Sequence, residues 1–141
     1  MRSISTGIQL DAPPEQVWKV FSDFPAYGEW NPFIREAQGT LAVGERLNLR
    51  LYPVSGRPMT FKPVVLVAEP GRAVTWKGIV LVPGLFDGTH KFTMEARDGG
   101  TYFTQAEDFG GLLTPFLGST ITGTIASFEL LNAALKKRVE Q

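Results

Sequence analysis

One long helical pattern ends the chain, and it is the only extended apolar helix that the sequence predicts. Thr114 followed by Pro115 is typical of a helix start, and the pattern continues to about Val139. One stripe of this helix is mainly apolar at helical spacing. The stripe consists of Leu117, Ile121, Thr124, Phe128, Leu131 and Leu135. Whatever sheet the remaining residues form therefore has this single helix to bury its apolar face.

The residues before the helix mostly alternate between apolar and polar, which is the period of a half-buried strand. The alternation is clear at 4–10 and at 90–97, and sequences rich in glycine and proline separate successive runs. Residues 11–14 end the first strand and begin a short helix, and a second helical turn is expected at 27–32. This order predicts an α+β protein with six to seven antiparallel strands, two short helices after the first strand, and the long C-terminal helix.

The widths of these elements constrain how they pack. A helix is about 10 Å wide, whereas six or seven strands at a spacing of about 4.8 Å span roughly 30 Å. A flat sheet would leave much of its apolar face in water. We therefore expect a curved sheet wrapped around the C-terminal helix, with space between the two. The length of 141 residues suits a single domain covering 1–141.

The best-defined hairpin turns at Asp98-Gly99-Gly100-Thr101. With Gly99 and Gly100 as the loop, the register pairs His90 with Phe109, Phe92 with Glu107, and Met94 with Gln105. His90 and Glu107 then lie diagonally across neighbouring strands, on the same face as apolar side chains. Burying an unpaired carboxylate in a dry core costs several kcal/mol. The polar residues therefore favour a pocket with a few polar groups on apolar walls.

Composition excludes several classes of function. Lys and Arg total 14 and Asp and Glu total 14, so the net charge is zero and a nucleic acid partner is not expected. The chain has no cysteine, one histidine, no phosphate-binding glycine motif and no Gly-x-Ser-x-Gly elbow. We therefore predict no metal site and no cofactor. The longest apolar run, 79–86, is too short for a membrane span, and no signal-peptide pattern is present, so a cytoplasmic location is expected.

Six short motifs together carry a family resemblance. They are DAPPEQVW at 11–18, DFPAYGEWNPF at 23–33, LAVGERL at 41–47, FDGTHKF at 86–92, GGT at 99–101 and EDFGGLL at 107–113. In this order they resemble the polyketide cyclase/dehydrase group of the START-like superfamily, the SRPBCC proteins. The resemblance covers nearly the whole chain and implies a helix-grip fold around an apolar cavity. It implies no single activity, because members include lipid and hormone binders, aromatic polyketide cyclases, ligand-sensing modules and co-chaperone domains.

Two functional hypotheses concern the cavity itself. The first is a carrier or sensor that binds a small hydrophobic or aromatic molecule, such as a lipid or polyketide. The residues expected to line the cavity are Trp30, Phe61, Trp76, His90, Phe92, Met94, Gln105, Glu107, Thr124 and Phe128. The second is a cyclase/dehydratase-type enzyme with His90 and Glu107 as its acid/base pair. The alternative for this pair is structural, each residue satisfying the other at the cavity mouth.

The apolar loop 79–86 lies between two predicted strands, where an exposed apolar segment is unusual for a monomer. A Pro-Gly pair forms a flexible break in it, so Leu81, Leu85 and Phe86 are candidates for a lid over the cavity. The same loop supports a third hypothesis, a protein-interaction module. If the loop forms a dimer contact, we expect a homodimer; otherwise we expect a monomer. A simple extension of the preceding strand is the structural alternative.

Overall fold

The alternating segments form strands and the periodic segments form helices in the computed structural model, which describes residues 2–54, 56–79 and 86–141. The strands within these ranges are β1 (Arg2–Leu10), β2 (Ile34–Gln38), β3 (Asn48–Leu51), β4 (Met59–Phe61), β5 (Val64–Glu69), β6 (Ala73–Ile79), β7 (Asp87–Arg97) and β8 (Gly100–Gly110). The helices are α1 (Pro14–Ser22), α2 (Tyr27–Trp30) and α3 (Gly118–Val139), with 3₁₀ turns at Phe24–Ala26 and Thr114–Phe116.

The strands form two antiparallel sheets. Five of them follow the order β1-β8-β7-β6-β5, and the other three follow the order β2-β3-β4. Helix α3 lies against the five-stranded sheet, since the Phe128 ring stacks on His90 of β7 and the Phe128 carbonyl accepts a hydrogen bond from Gln105 of β8. The α+β helix-grip architecture predicted from the sequence is therefore confirmed, with the strands divided between two sheets instead of one sheet of six or seven.

A proline explains the division into two sheets. The sequence pattern from Phe61 to Val67 suggests one strand, but Lys62 and Pro63 separate β4 from β5. Proline has no N–H to donate to a neighbouring strand, so pairing stops there. The carbonyl of Pro63 instead accepts from the Leu47 N–H at 2.8 Å, and the Val65 N–H donates to Glu45 at the same distance. These bonds join the edges of the two sheets.

The β7–β8 hairpin has a different register from the predicted one. Asp98 and Gly99 occupy the two loop positions with φ of 52° and 78°, so Arg97 pairs with Gly100. Both loop residues of a type I′ turn need positive φ, and aspartate tolerates this better than most side chains. The register therefore shifts by two residues and pairs His90 with Glu107, Phe92 with Gln105, and Met94 with Phe103. A shift of two preserves the face on which each side chain lies.

The start of α3 also differs from the prediction. Thr114 does not cap the helix, because its hydroxyl donates to the Gly111 carbonyl at 2.8 Å. A 3₁₀ turn follows, and the α-helix begins only at Gly118. The predicted stripe of α3 still faces inward from Ile121 onward, where it is buried at most positions.

Aromatic rings fill the part of the interior next to α1. Phe21 of α1 has its ring centroid between 4.8 and 6.5 Å from those of Trp76, Phe92 and Phe103. Leu131 and Leu135, from the C-terminal half of α3, belong to the same buried core. This part of the interior is occupied by the protein's own side chains.

Replacement of Asp98 tests the hairpin turn. We expect Asp98→Val to lower the free energy of unfolding by about 1–2 kcal/mol, because a β-branched residue is strained at positive φ. Asp98→Asn should remain close to the wild type, since asparagine tolerates this conformation. Urea unfolding followed by circular dichroism measures both. An equal loss in the two variants would contradict the backbone explanation.

Candidate functional site

Three residues with polar atoms lie side by side on adjacent strands of the five-stranded sheet. Trp76 of β6 pairs with His90 of β7, which pairs with Glu107 of β8. All three side chains are buried on the inner face, with His90 4% and Glu107 8% exposed. The indole N–H of Trp76 has no hydrogen-bond partner among the described residues. The corrected hairpin register thus places His90 and Glu107 directly opposite each other.

In the next row of the same face, two neighbouring strands have glycine. Gly78 of β6 pairs with Gly88 of β7. A β-carbon on Gly78 would lie 2.3 Å from the Phe61 ring, and one on Gly88 would lie 2.5 Å from Oε2 of Glu107. Either β-carbon would require the Phe61 ring or the Glu107 carboxyl group to move. The paired glycines therefore provide the space in which the Phe61 ring and the Glu107 carboxyl group lie.

A cavity of about 240 Å³ opens at this point between the two sheets and the N-terminal half of α3. Its walls are mainly apolar. The described residues that line it are Phe33, Ile34, Leu49, Leu51, Pro53, Gly56, Arg57, Met59, Phe61, Trp76, Phe86, Gly88, His90, Glu107, Phe109, Thr120, Gly123, Thr124, Ser127 and Phe128. Six of the residues expected to line the cavity border it, namely Phe61, Trp76, His90, Glu107, Thr124 and Phe128.

Three other expected residues lie one or two rows deeper along the strands. Phe92 packs between the His90 ring and Phe21, Met94 is buried in the core, and Gln105 bonds to α3. They share the inner face with the cavity residues but do not border the cavity. The reason is that α1 fills the interior at their level.

Trp30 does not border the cavity either. Its ring lies edge-on to Tyr27 at 5.3 Å, beside a groove that Glu29 and Arg138 also line. Glu29 forms an ion pair with Arg138 at 2.9 Å, which ties α2 to the end of α3. Trp30 therefore belongs to the connection through which α2 leads the chain into β2 of the three-stranded sheet.

The lid prediction falls mostly outside the described residues. Leu81 and Leu85 lie in the range 80–85, so both the lid and the interaction-module hypotheses stay predictions. Phe86 is described: its ring is buried at the cavity and stacks on Phe109 at 5.5 Å.

A chain of hydrogen bonds fixes the protonation pattern of His90. The backbone carbonyl of Phe128 can only accept, and it lies 3.0 Å from Nε2 of Gln105. The amide nitrogen of Gln105 also donates to Oδ1 of Asn132 at 2.7 Å, and Asn132 donates to the hydroxyl of Thr6 at 3.0 Å. Gln105 must therefore point its oxygen at Nε2 of His90, 3.0 Å away. In neutral His90 the proton is then on Nε2, and Nδ1 carries the lone pair.

The His90 ring has little freedom to rotate. It stacks on Phe92 at 3.9 Å and on Phe128 at 4.4 Å. Burial among these rings lowers the pKa of His90 from 6.5 to about 3, although the hydrogen bond that His90 donates to Gln105 acts in the opposite direction. His90 is therefore neutral near pH 7.

Glu107 responds to burial in the opposite sense. Desolvation, and secondarily the negative charge of Asp108, raises the pKa of Glu107 from 4.5 to about 8. Oε1 lies 3.7 Å from Nδ1 of His90, which is too long for a direct hydrogen bond. The two residues therefore face each other as a carboxylic acid and a neutral imidazole near pH 7, not as an ion pair.

Sequence reasoning missed the residues that orient this pair. Asn132 and Thr6 belong to the hydrogen-bond chain, and Gln105 was expected to contact ligand, whereas it positions His90. The available signal for Asn132 was its position four residues after Phe128 on the buried side of α3.

In the described ranges, no group of three metal-ligating side chains converges. None of the described helices is long and apolar enough to cross a membrane.

A family model described as polyketide cyclase / dehydrase and lipid transport matches residues 1–140. The chain belongs to this family. That membership agrees with the resemblance in the sequence motifs and with binding of a hydrophobic ligand. The family's description joins enzymes with lipid transport, so it does not choose between them. No curated protein matches the chain.

Several solved structures share the fold. A START superfamily protein from Mycobacterium smegmatis superposes with a TM-score of 0.76 at 22% identity, covering 99% of this chain and 97% of that one. The Zhui aromatase/cyclase from a Streptomyces species gives a TM-score of 0.78 at 15% identity, covering 99% and 93%. A protein from Mesorhizobium loti gives 0.69 at 22% identity, covering 96% and 98%. At these identities the likeness establishes the architecture alone.

Glu107 is expected to make the protein less stable as the pH rises from about 6.5 to about 8. In this interval the unfolded chain has lost the proton, whereas the folded protein keeps it up to a pKa of about 8, so a higher pH favours unfolding. His90 acts in the opposite direction near pH 6.5, because the unfolded chain is still partly protonated at this residue, but this effect is shared by the wild type and Glu107→Gln and cancels in their difference. The contribution of Glu107 approaches about −1.4 kcal/mol per pH unit. Urea unfolding of wild type and Glu107→Gln across this interval measures it.

The matched control for this experiment is Asp108→Asn. The pKa of Asp108 is lowered by hydrogen bonds from Lys91 and Ser3, so this carboxylate is ionised in both states above pH 6.5. The control should keep most of the wild-type slope, because burial, the larger cause of the raised pKa of Glu107, remains when the charge of Asp108 is removed, whereas Glu107→Gln loses the slope. Parallel curves for the wild type and Glu107→Gln would contradict the proposed protonation of Glu107.

Proposed function

We propose that the protein is a carrier or sensor that binds a small apolar or aromatic molecule in the 240 Å³ cavity. The observation that supports this function is the cavity itself, with apolar walls and a few polar groups in one row. This is the usual composition of a small-molecule site. Family membership is consistent with it, since the family includes lipid transport.

The size of the cavity favours a small ligand. An apolar cavity of about 150 Å³ holds one benzene ring, and sites for drug-sized molecules begin at about 300 Å³. The cavity here, at about 240 Å³, lies between these values. We therefore infer a ligand of one or two fused rings, or a chain of similar volume, in place of a long-chain lipid.

Filling the cavity should abolish binding. Thr124 lines the cavity, and its hydroxyl donates a hydrogen bond to the Thr120 carbonyl of its own helix. In Thr124→Phe the new ring occupies the ligand's space, so we expect binding of naphthalene to weaken by tenfold or more. The rise in melting temperature that we expect naphthalene to cause in the wild type should then disappear.

Thr122→Phe is the matched control, because Thr122 is an exposed threonine of the same helix and does not line the cavity. It should keep the wild-type response to naphthalene. Native mass spectrometry of the purified protein complements the titration by detecting a co-purified small molecule. If naphthalene stabilises Thr124→Phe as much as it stabilises the wild type, the cavity is not the binding site.

A second candidate function is acid/base catalysis of the cyclase/dehydratase type. It is favoured by one observation, the lone pair on Nδ1 of His90 3.7 Å from Oε1 of the protonated Glu107. For a ketone in the cavity, Nδ1 would take a proton from the carbon next to the carbonyl while Glu107 gives its proton to the carbonyl oxygen. The products of this step are an enol, an imidazolium and a carboxylate, so the charges balance.

This activity can be tested with 2-tetralone, a two-ring ketone, in heavy water. If His90 and Glu107 act together, the wild type should accelerate incorporation of deuterium next to the carbonyl, measured by nuclear magnetic resonance. We expect His90→Ala and Glu107→Gln each to reduce the acceleration by about 10²-fold or more, with their fold checked by circular dichroism. Saturable binding of 2-tetralone without acceleration would reject acid/base catalysis and leave the carrier or sensor function.

A further inference from the structure

The polar atoms at the cavity indicate which ligands it distinguishes. Resting on the proposed ligand-binding function, we propose that the cavity selects an uncharged ring compound bearing a hydroxyl group over the carboxylate of the same ring skeleton. The hydroxyl would donate its hydrogen to Nδ1 of His90 and accept a hydrogen bond from the carboxyl group of Glu107. Both contacts use one oxygen atom of the ligand.

The acceptor half of this arrangement follows from the hydrogen-bond chain through Gln105. Because the Phe128 carbonyl fixes the Gln105 amide, Nε2 of His90 is the donor and Nδ1 is left as an acceptor. The rings of Phe92 and Phe128 hold the imidazole on both faces. The ring cannot turn over to present a donor without breaking the bond to Gln105.

The donor half comes from Glu107. Its carboxyl group lies over Gly88, is buried at the cavity, and makes no hydrogen bond to any described residue. Burial keeps its proton near pH 7, since it raises the pKa of Glu107 to about 8. The carboxyl group borders the cavity, so the oxygen of a ligand that enters can accept a hydrogen bond from its O–H.

The distance between the two residues suits one shared atom. Nδ1 of His90 and Oε1 of Glu107 are 3.7 Å apart, too far for a direct hydrogen bond. A single oxygen can lie at about 2.8 Å from both atoms at once. A hydroxyl group donates one hydrogen and accepts another, so it complements this pair without leaving a polar atom unsatisfied.

A carboxylate does not complement the same pair. It has no hydrogen to give to Nδ1, and it must lose its hydration among apolar walls. Among the described charged groups that line the cavity, Arg57 is the only permanent cation, and it is exposed. An anion can accept hydrogen bonds from the Trp76 indole N–H and the Glu107 O–H, but it leaves Nδ1 of His90 without a donor and meets no buried cation among the described residues.

Three probes with the same two-ring skeleton separate these possibilities. They are 2-naphthol, naphthalene and 2-naphthoate, titrated calorimetrically into the full chain at pH 7. We expect 2-naphthol to bind at least about tenfold more tightly than naphthalene, because it adds two hydrogen bonds at buried groups. We expect 2-naphthoate to bind more weakly than 2-naphthol by a similar factor or more.

Substitutions then assign the preference to the pair. Glu107→Leu should reduce the affinity for 2-naphthol to that for naphthalene, while Asp108→Leu, at the neighbouring position that pairs with Lys91, should keep the wild-type ratio. Glu107→Gln retains a donor and should keep most of the preference, which makes it the second variant if the leucine variant does not fold. Retention of the full 2-naphthol preference in Glu107→Leu would overturn the proposal.

The wild-type titrations distinguish failure of this inference from failure of the proposed function. If naphthalene and 2-naphthol bind equally well, the cavity binds apolar molecules but does not recognise the hydroxyl group, and the inference is wrong. If 2-naphthoate binds most tightly and Arg57→Gln removes that preference, the cavity selects anions, and the inference is also wrong. If none of the three binds, the ligand-binding function fails and the inference fails with it.

Discussion

The chemistry available at the cavity depends on the orientation of one buried amide. Gln105 lies between a backbone carbonyl, which can only accept a hydrogen bond, and the imidazole of His90. Reversing the amide would direct its oxygen at the carbonyl of Phe128, leaving two acceptors in contact in a buried environment. The helix α3 thus determines, through its backbone, which nitrogen of a histidine on the sheet carries a proton. A ligand that donates a hydrogen bond to Nδ1 needs this arrangement, and so does a substrate that loses a proton to Nδ1.

Burial reconciles two titratable residues with an apolar cavity. The same desolvation lowers the pKa of His90 and raises the pKa of Glu107, so both groups are uncharged near pH 7. Their uncharged forms still offer an acceptor and a donor. A proton can pass from Glu107 to a ligand, and another from the ligand to His90, at the cost of forming two charges 3.7 Å apart. The same geometry therefore supports recognition of a ligand when the protons stay in place, and catalysis when they are transferred.

The sequence predicts on which face of the sheet a side chain lies better than it predicts which of those side chains border the cavity. Alternation in β7 and β8 places His90, Phe92 and Glu107 on the inner face, and this assignment survives the two-residue register shift because the period of a strand is two. Periodicity does not tell which rows of that face meet α1, so Phe92 and Gln105 were expected at the cavity instead of in the core. The turn itself was misassigned because Gly99-Gly100 and Asp98-Gly99 both suit a two-residue loop.

The paired glycines were beyond sequence reasoning for a different reason. Their contribution is the side chain they lack, and only the spatial pairing of Gly78 with Gly88 reveals that the Phe61 ring and the Glu107 carboxyl group occupy that space. A ring compound that enters the cavity contacts walls that the fold has already ordered, so little free energy is spent on arranging them. The glycines thus help to determine where the Phe61 ring and the Glu107 carboxyl group border the space that a ligand would occupy.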